Sequence, residues 1–144
     1  MGKSILFVDD EALMRRLVGD VLAQQGFQVS LATSGKEGLE NARRHPPDLI
    51  LLDIMMSGMD GFEVCQEIRR DRRLQAIPVV MLTAMESFKL NERAFAAGAE
   101  VCMTKPFVAD RLINMVNIAL QNAALRNKQP QVTAEAAEKK TAPS

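Results

Sequence analysis

Thiols and imidazoles are scarce in this chain. Its two cysteines, Cys65 and Cys102, form no CxxC pair, and His45 is the sole histidine. The ligand spacing of a zinc site is therefore missing. Two cysteines in 144 residues make no disulfide scaffold, and a reducing, cytoplasmic setting is the natural expectation. Charge of one sign is not in excess either: 18 Lys and Arg balance 18 Asp and Glu. That balance removes the electrostatic argument for nucleic acid or an anionic membrane as partner. Long apolar runs are lacking. The N-terminal one stops at Asp9, too short for a signal peptide or a membrane span. What remains is ordinary globular material, 47% apolar and 25% charged, enough for one compact domain with a real core.

Three short apolar runs stand out, Ile5 to Val8, Leu49 to Leu52 and Val79 to Leu82. Unbroken runs of this length suit strands buried on both faces of a parallel sheet. Phe27 to Leu31 alternates instead and predicts a less buried edge strand; Val101 to Met103 predicts a short fifth. Helical patterns separate them. Met14, Leu17, Val18, Val21 and Leu22 predict one inward face, with Gly26 as the stop. Ser34 with Glu37, and Asp60 with Glu63, read as capping boxes. The third helix turns Val64, Cys65 and Ile68 inward, and the fourth runs from about Glu86 to Ala97 before Gly98. The fifth runs from Val108 to about Leu125 with Leu112, Met115, Val116 and Ala119 on one stripe. Strict βα alternation predicts an α/β domain with right-handed crossovers. From Arg126 the composition turns polar. Residues 1–125 are therefore expected to form the domain and 126–144 a disordered tail or linker.

The polar residues that end the runs carry the functional signal. The first run ends at Asp9-Asp10, the third at Asp53, the fourth at Thr83 and the fifth at Thr104-Lys105. In an open parallel sheet, ligands bind beyond the carboxyl ends of the strands. Three carboxylates brought together there repel one another and call for a cation, and an oxygen-only set suits Mg²⁺ better than zinc. A carboxylate in such a site is also a nucleophile toward phosphorus, with Lys105 and Thr83 available to the phosphoryl oxygens. Each residue has a plainer reading when taken singly. Asp9 and Asp10 can cap a helix, Asp53 can begin a turn, Thr83 can be a cap and Lys105 a surface lysine. The full set at the ends of one sheet is what argues against coincidence.

The motifs FVDDE (Phe7 to Glu11), LILLDIMMSGMDGFEV (Leu49 to Val64), PVVMLTA (Pro78 to Ala84), AAGAE (Ala96 to Glu100) and TKPF (Thr104 to Phe107) occur in this order. Over roughly residues 3 to 122 the chain resembles the receiver domain of bacterial two-component response regulators, and within them the single-domain chemotaxis type. The resemblance implies a flavodoxin-like doubly wound sheet of five parallel strands in order 2-1-3-4-5 with five helices. It implies Asp53 as phosphoacceptor. Asp10, Asp53 and the Met55 carbonyl would be Mg²⁺ ligands, with Asp9 helping through water. Lys105 would pair with Asp53 and later with the phosphoryl group, Thr83 would swing to a phosphoryl oxygen, and the Lys105-Pro106 bond would be cis. The implied partners are a sensor histidine kinase or phosphotransfer protein as donor, and a downstream protein or a second copy at the helix 4 to helix 5 face. Phe88, Phe95, Ile113, Leu120 and Ala124 are the candidate exposed apolar groups on that face.

Three departures qualify the resemblance. Cys102 stands where the family commonly has an aromatic, and the chain has no Tyr, so the usual ring cannot follow Thr83. Cys102 reads as a packed thiol rather than a redox sensor. Ser57 stands where the loop often has Pro, which loosens the turn and removes no ligand. Met55 and Met85 hold positions that tune phosphate lifetime, and two apolar side chains there predict slow hydrolysis. Two other functions stay open. One is a degenerate receiver that binds partners without phosphate. The other is an aspartate-nucleophile hydrolase, disfavoured because Met55 replaces the second acid of a DxD pair. The polar tail fits a stand-alone domain that acts by docking or a receiver cut from a longer response regulator.

Overall fold

The protein is described as a computed structural model covering residues 2–84, 88–105 and 108–128. Strands β1 (Ser4–Val8), β2 (Gln28–Ala32), β3 (Leu49–Asp53), β4 (Val79–Thr83) and β5 (Val101–Thr104) alternate with helices α1 (Ala12–Gln24), α2 (Gly35–Arg44), α3 (Gly61–Arg70), α4 (Phe88–Ala97) and α5 (Ala109–Lys128). The strands form one parallel sheet in order β2-β1-β3-β4-β5. This is the doubly wound, flavodoxin-like architecture expected from the resemblance.

The period-2 geometry of a strand explains the unbroken apolar runs. Leu6, Val8, Ile50, Leu52, Val79 and Met81 face one way, into a core shared with Leu39, Val64, Ile68 and Ala94 of α2, α3 and α4. Ile5, Phe7, Leu49, Leu51, Val80 and Leu82 face the other way, toward Val18 and Leu22 of α1 and Leu112 and Val116 of α5. Both sheet faces are covered, so neither set has a polar partner in sequence.

Helix ends follow the local chemistry. Gly26 takes φ 89°, and its N–H and that of Phe27 bond back to the carbonyls of Ala23 and Leu22, a two-bond stop that a side chain at position 26 would strain. Ser34 Oγ accepts from the Glu37 N–H, and Asp60 Oδ1 from the Glu63 N–H, as the capping patterns predict. The Glu37 carboxylate returns to Thr33, one residue before the cap.

Several expectations need correction. Leu17 is 48% exposed, and the inward face of α1 is Val18 and Leu22 flanked by half-buried Met14 and Val21. At about 100° per residue Leu17 lies on the shoulder of that stripe, where β1 and β2 do not reach. Strand β2 sits one residue later than Phe27 to Leu31, and Leu31 is exposed because β2 is an edge. On α5, Ile113 and Leu120 are half-buried and Ala124 is exposed, while the main stripe continues to buried Ala123. That helix passes Leu125 and reaches Lys128, with Arg126 gripping both Glu100 oxygens at 2.9 and 3.1 Å. The expected start of α4 at Glu86, Met85, the Lys105-Pro106 bond, the Phe88 side chain and residues 129–144 of the tail lie outside the described residues.

Candidate functional site

Parallel strands of matched register finish together. Asp53 is the last residue of β3 and pairs in register with Leu82, one before Thr83, which closes β4 and pairs with Thr104. Asp9 follows β1 directly, and Lys105 follows β5. Lys105 N–H donates to the Thr83 carbonyl at 2.6 Å, so the ends of β4 and β5 are tied where the side chains converge. Gly61 opens α3 against the same spot. A Cβ there would lie 2.6 Å from the Asp53 carbonyl oxygen, so glycine alone lets α3 start this close to Asp53.

The three carboxylates and Lys105 come together, and Thr83 ends the adjoining strand. Asp9, Asp53 and Thr83 are the polar residues buried here, at 0, 4 and 1% exposure, whereas Asp10 is exposed. One oxygen from each of Asp9, Asp10 and Asp53 falls within 4.8 Å of the others. Lys105 Nζ lies 2.9 Å from Asp9 Oδ2 and 3.2 Å from Asp53 Oδ1. The expected Lys105–Asp53 pair is present, and the nearer pairing, with Asp9, is one that sequence reasoning missed.

Asp9 is held on every side. Its Oδ1 accepts from the Glu11 N–H at 2.9 Å, and its carbonyl accepts from Arg15 at 2.7 Å. The i to i+2 bond to Glu11 is an Asx turn, readable in principle from an Asp that follows a strand. It also disposes of the capping alternative, since the N-cap of α1 is Glu11 and no side chain caps it. Asp10 Oδ2 accepts from the Ser57 N–H at 3.0 Å, across two loops. Met55 brings an exposed side chain to the rim, and its backbone N–H lowers the pKa of the Asp53 carboxyl. Cys102 is half-buried against the core on the α4 side, and burial raises its thiol pKa, as for a packing cysteine. Buried Cys65 is likewise pushed up, to about 11.

Charge balance explains what the site can hold. Burial, then the Asp9 charge, raises the Asp53 carboxyl from 3.8 to about 6, against the pull of Lys105 and the Met55 amide. Burial pulls Lys105 toward neutrality, but its hydrogen bonds and charge contacts with Asp9 and Asp53 outweigh that and raise its pKa. One ammonium therefore faces three carboxylates. An all-oxygen, carboxylate-rich set with an exposed side fits a hard divalent cation that keeps some of its water, which is the coordination habit of Mg²⁺.

Comparison with known proteins agrees with this chemistry. Residues 5–117 match the response regulator receiver domain family. The chain is 39% identical over 117 residues to the DNA-binding dual master transcriptional regulator RpaA of Synechocystis, covering 81% of this chain and 48% of RpaA. It is 35% identical over 123 residues to the polar-differentiation response regulator DivK of Brucella ovis, covering 85% of this chain and 100% of DivK. It thus spans about half the length of RpaA and the whole of DivK. Among solved structures it is similar to chemotaxis protein CheY4 of Vibrio cholerae (29% identity, TM-score 0.80, 83% of this chain and 99% of that one). It is also similar to the NtrX receiver domain of Brucella abortus (34%, TM-score 0.76, 81% and 98%). Receivers of this family accept a phosphoryl group on aspartate, bind Mg²⁺ at an acidic pocket, and meet histidine kinases or phosphotransfer proteins and downstream effectors. With the matching fold, the aspartates gathered at its strand ends and a match over most of its length, the chain belongs to the response regulator receiver domain family.

Proposed function

We propose that Asp53 is the phosphoacceptor of a Mg²⁺-dependent phosphorelay and that its phosphorylation switches a protein-binding surface. The observation that carries the reading is the placing of Asp53. It is a buried carboxylate 3.2 Å from an ammonium and within 4.8 Å of two further carboxylates, on a face open through Asp10. In the step, an Asp53 oxygen forms a bond to phosphorus while the phosphorus–nitrogen bond of a donor phosphohistidine breaks, and the electron pair leaves with the imidazole nitrogen. Asp10, Asp53 and the Met55 carbonyl would hold Mg²⁺, with Asp9 acting through water. When bound, the ion offsets the charge of the carboxylates and of the phosphoryl oxygens. Lys105 then turns from Asp9 and Asp53 to a phosphoryl oxygen, and the Thr83 hydroxyl donates to another. The donor is a sensor kinase or phosphotransfer protein. The output is a downstream protein or a second copy at the α4 to α5 face, where Phe95 is exposed.

The test is incubation with Mg²⁺ and acetyl phosphate, read by intact mass and by NMR. Gain of one phosphoryl group that Asp53→Ala abolishes supports the reading, whereas modification that survives the substitution sinks it. Cys102, packed and too small to swing, favours a second reading in which a receiver-like module binds partners without phosphate. Phosphorylation that leaves the α4 and α5 resonances unmoved would select that reading.

A further inference from the structure

The three acidic residues are not equally fixed. Asp9 has one oxygen on the Glu11 N–H and the other on Lys105, and is fully buried. Asp53 is buried, with one oxygen on Lys105. Asp10 is exposed, and an exposed carboxylate loses rotamer freedom whenever a cation orders it. What restrains it is the Ser57 N–H, donated to Oδ2 at 3.0 Å from a residue 47 positions along the chain.

We propose that the Ser57 backbone amide is a positioning group for the cation site, setting the Asp10 carboxylate before the ion arrives. The inference rests on the Mg²⁺ part of the function proposed above. Its physics is that of a second-shell contact. A neutral N–H occupies one lone pair of Oδ2. It leaves the carboxylate charge intact, and Oδ1 remains available to a cation. Among the described residues no ammonium has to be displaced from Asp10 when the ion binds, in contrast to Lys105 on Asp9 and Asp53. The bond also joins the loop after β1 to the loop after β3, so the segment carrying Met55 and the Asp10 carboxylate are placed together. The hydroxyl of Ser57 has no part in this, so the property belongs to the amide and any residue but proline can supply it.

That asymmetry gives the experiment. Mg²⁺ affinity is measured by isothermal titration calorimetry on the full chain and on Ser57→Ala and Ser57→Pro, with urea unfolding to check each fold. Loss of one neutral hydrogen bond to a ligand carboxylate should weaken Mg²⁺ about 3- to 10-fold in the proline variant. The alanine variant keeps the amide and should stay within about twofold of the parent, less than one ordinary hydrogen bond. A folded proline variant that binds Mg²⁺ as tightly as the parent overturns the inference, and so does an alanine variant that loses as much. Should the proline variant lack a cooperative unfolding transition, the Ser57 amide proton decides. A downfield resonance that moves upfield in Asp10→Ala and persists at saturating Mg²⁺ supports the inference. Indifference to Asp10→Ala, or loss of the downfield shift when Mg²⁺ is added, overturns it. A parent protein that binds no Mg²⁺ overturns the proposed metal site and this inference together, whereas parent binding with an unaffected proline variant overturns this inference alone.

Discussion

Asp53→Asn should make the metal-free protein more stable, and the gain should depend on pH. Burial and Asp9 raise the folded-state pKa of Asp53 from 3.8 to about 6. Between those values the native state binds more protons than the unfolded chain, so stability falls as pH rises through the window. The shift is roughly two pKa units, which at ~1.4 kcal/mol per unit corresponds to about 3 kcal/mol lost by about pH 8 and almost none below about pH 3. Asparagine resembles the protonated acid in shape and has no charge to lose. The variant should therefore match the parent near pH 3 and exceed it by about 2–3 kcal/mol near pH 8, in chelator. The chain has no Trp or Tyr, so urea unfolding is best followed by far-ultraviolet circular dichroism. Saturating Mg²⁺ should cancel the difference, since an ion at about 100 times its dissociation constant stabilises the parent by about 2.7 kcal/mol. A variant no more stable than the parent at alkaline pH, or one whose advantage is the same at every pH, would refute the reasoning.

Other outcomes follow from the same geometry. Lys105→Ala removes the cation between two buried carboxylates and should cost about 3 kcal/mol in chelator near neutral pH, less in acid or in Mg²⁺, by the same urea assay. Gly61→Ala forces a methyl 2.6 Å from the Asp53 carbonyl oxygen. It should cost about 1–3 kcal/mol and slow acetyl phosphate labelling by displacing the acceptor. Met55→Asn combined with Met85→Glu should hasten loss of the phosphoryl group, followed by intact mass, because a polar side chain in place of exposed Met55, and a second one at 85, would admit and orient water; an unchanged rate removes the case for slow hydrolysis.

What could be read in advance was whatever a residue's own neighbours in sequence determine. The apolar runs end where the sheet ends, so the gathering of Asp9, Asp10, Asp53 and Lys105 and the strand-end position of Thr83 were legible from the sequence. Helix stops at Gly26 and caps at Ser34 and Asp60 depend on chemistry within a few residues, and they were legible too. Contacts set by loop paths between distant segments were not. The nearer pairing of Lys105 with Asp9 spans 96 positions, the Ser57 amide on Asp10 spans 47, and the Arg126 grip on Glu100 spans 26. The polar composition after Leu125 hid the last turn of α5 because that turn extends beyond the apolar stripe, and Arg126 anchors it by a long-range ion pair.

If Asp53 accepts the phosphoryl group as proposed, transmission begins at the joined ends of β4 and β5. The Lys105 amide bonds the Thr83 carbonyl, so a lysine drawn toward a phosphoryl group pulls on the strand end that carries Thr83. Two residues earlier on β5, Cys102 shares a face with Thr104 and packs on the α4 side of the sheet. An aromatic there could rotate between two positions, whereas a half-buried thiol is too small to remodel the surface by turning. On the proposed function, output would therefore travel as a shift of β5 and the adjoining α4, not as the turning of one ring. Cys102→Ala removes the sulfur and leaves that route intact. The amide shifts induced on α4 by a beryllium fluoride mimic should match those of the parent. If the alanine variant loses them while still binding the mimic, the thiol itself is the moving part and the strand-shift argument is wrong.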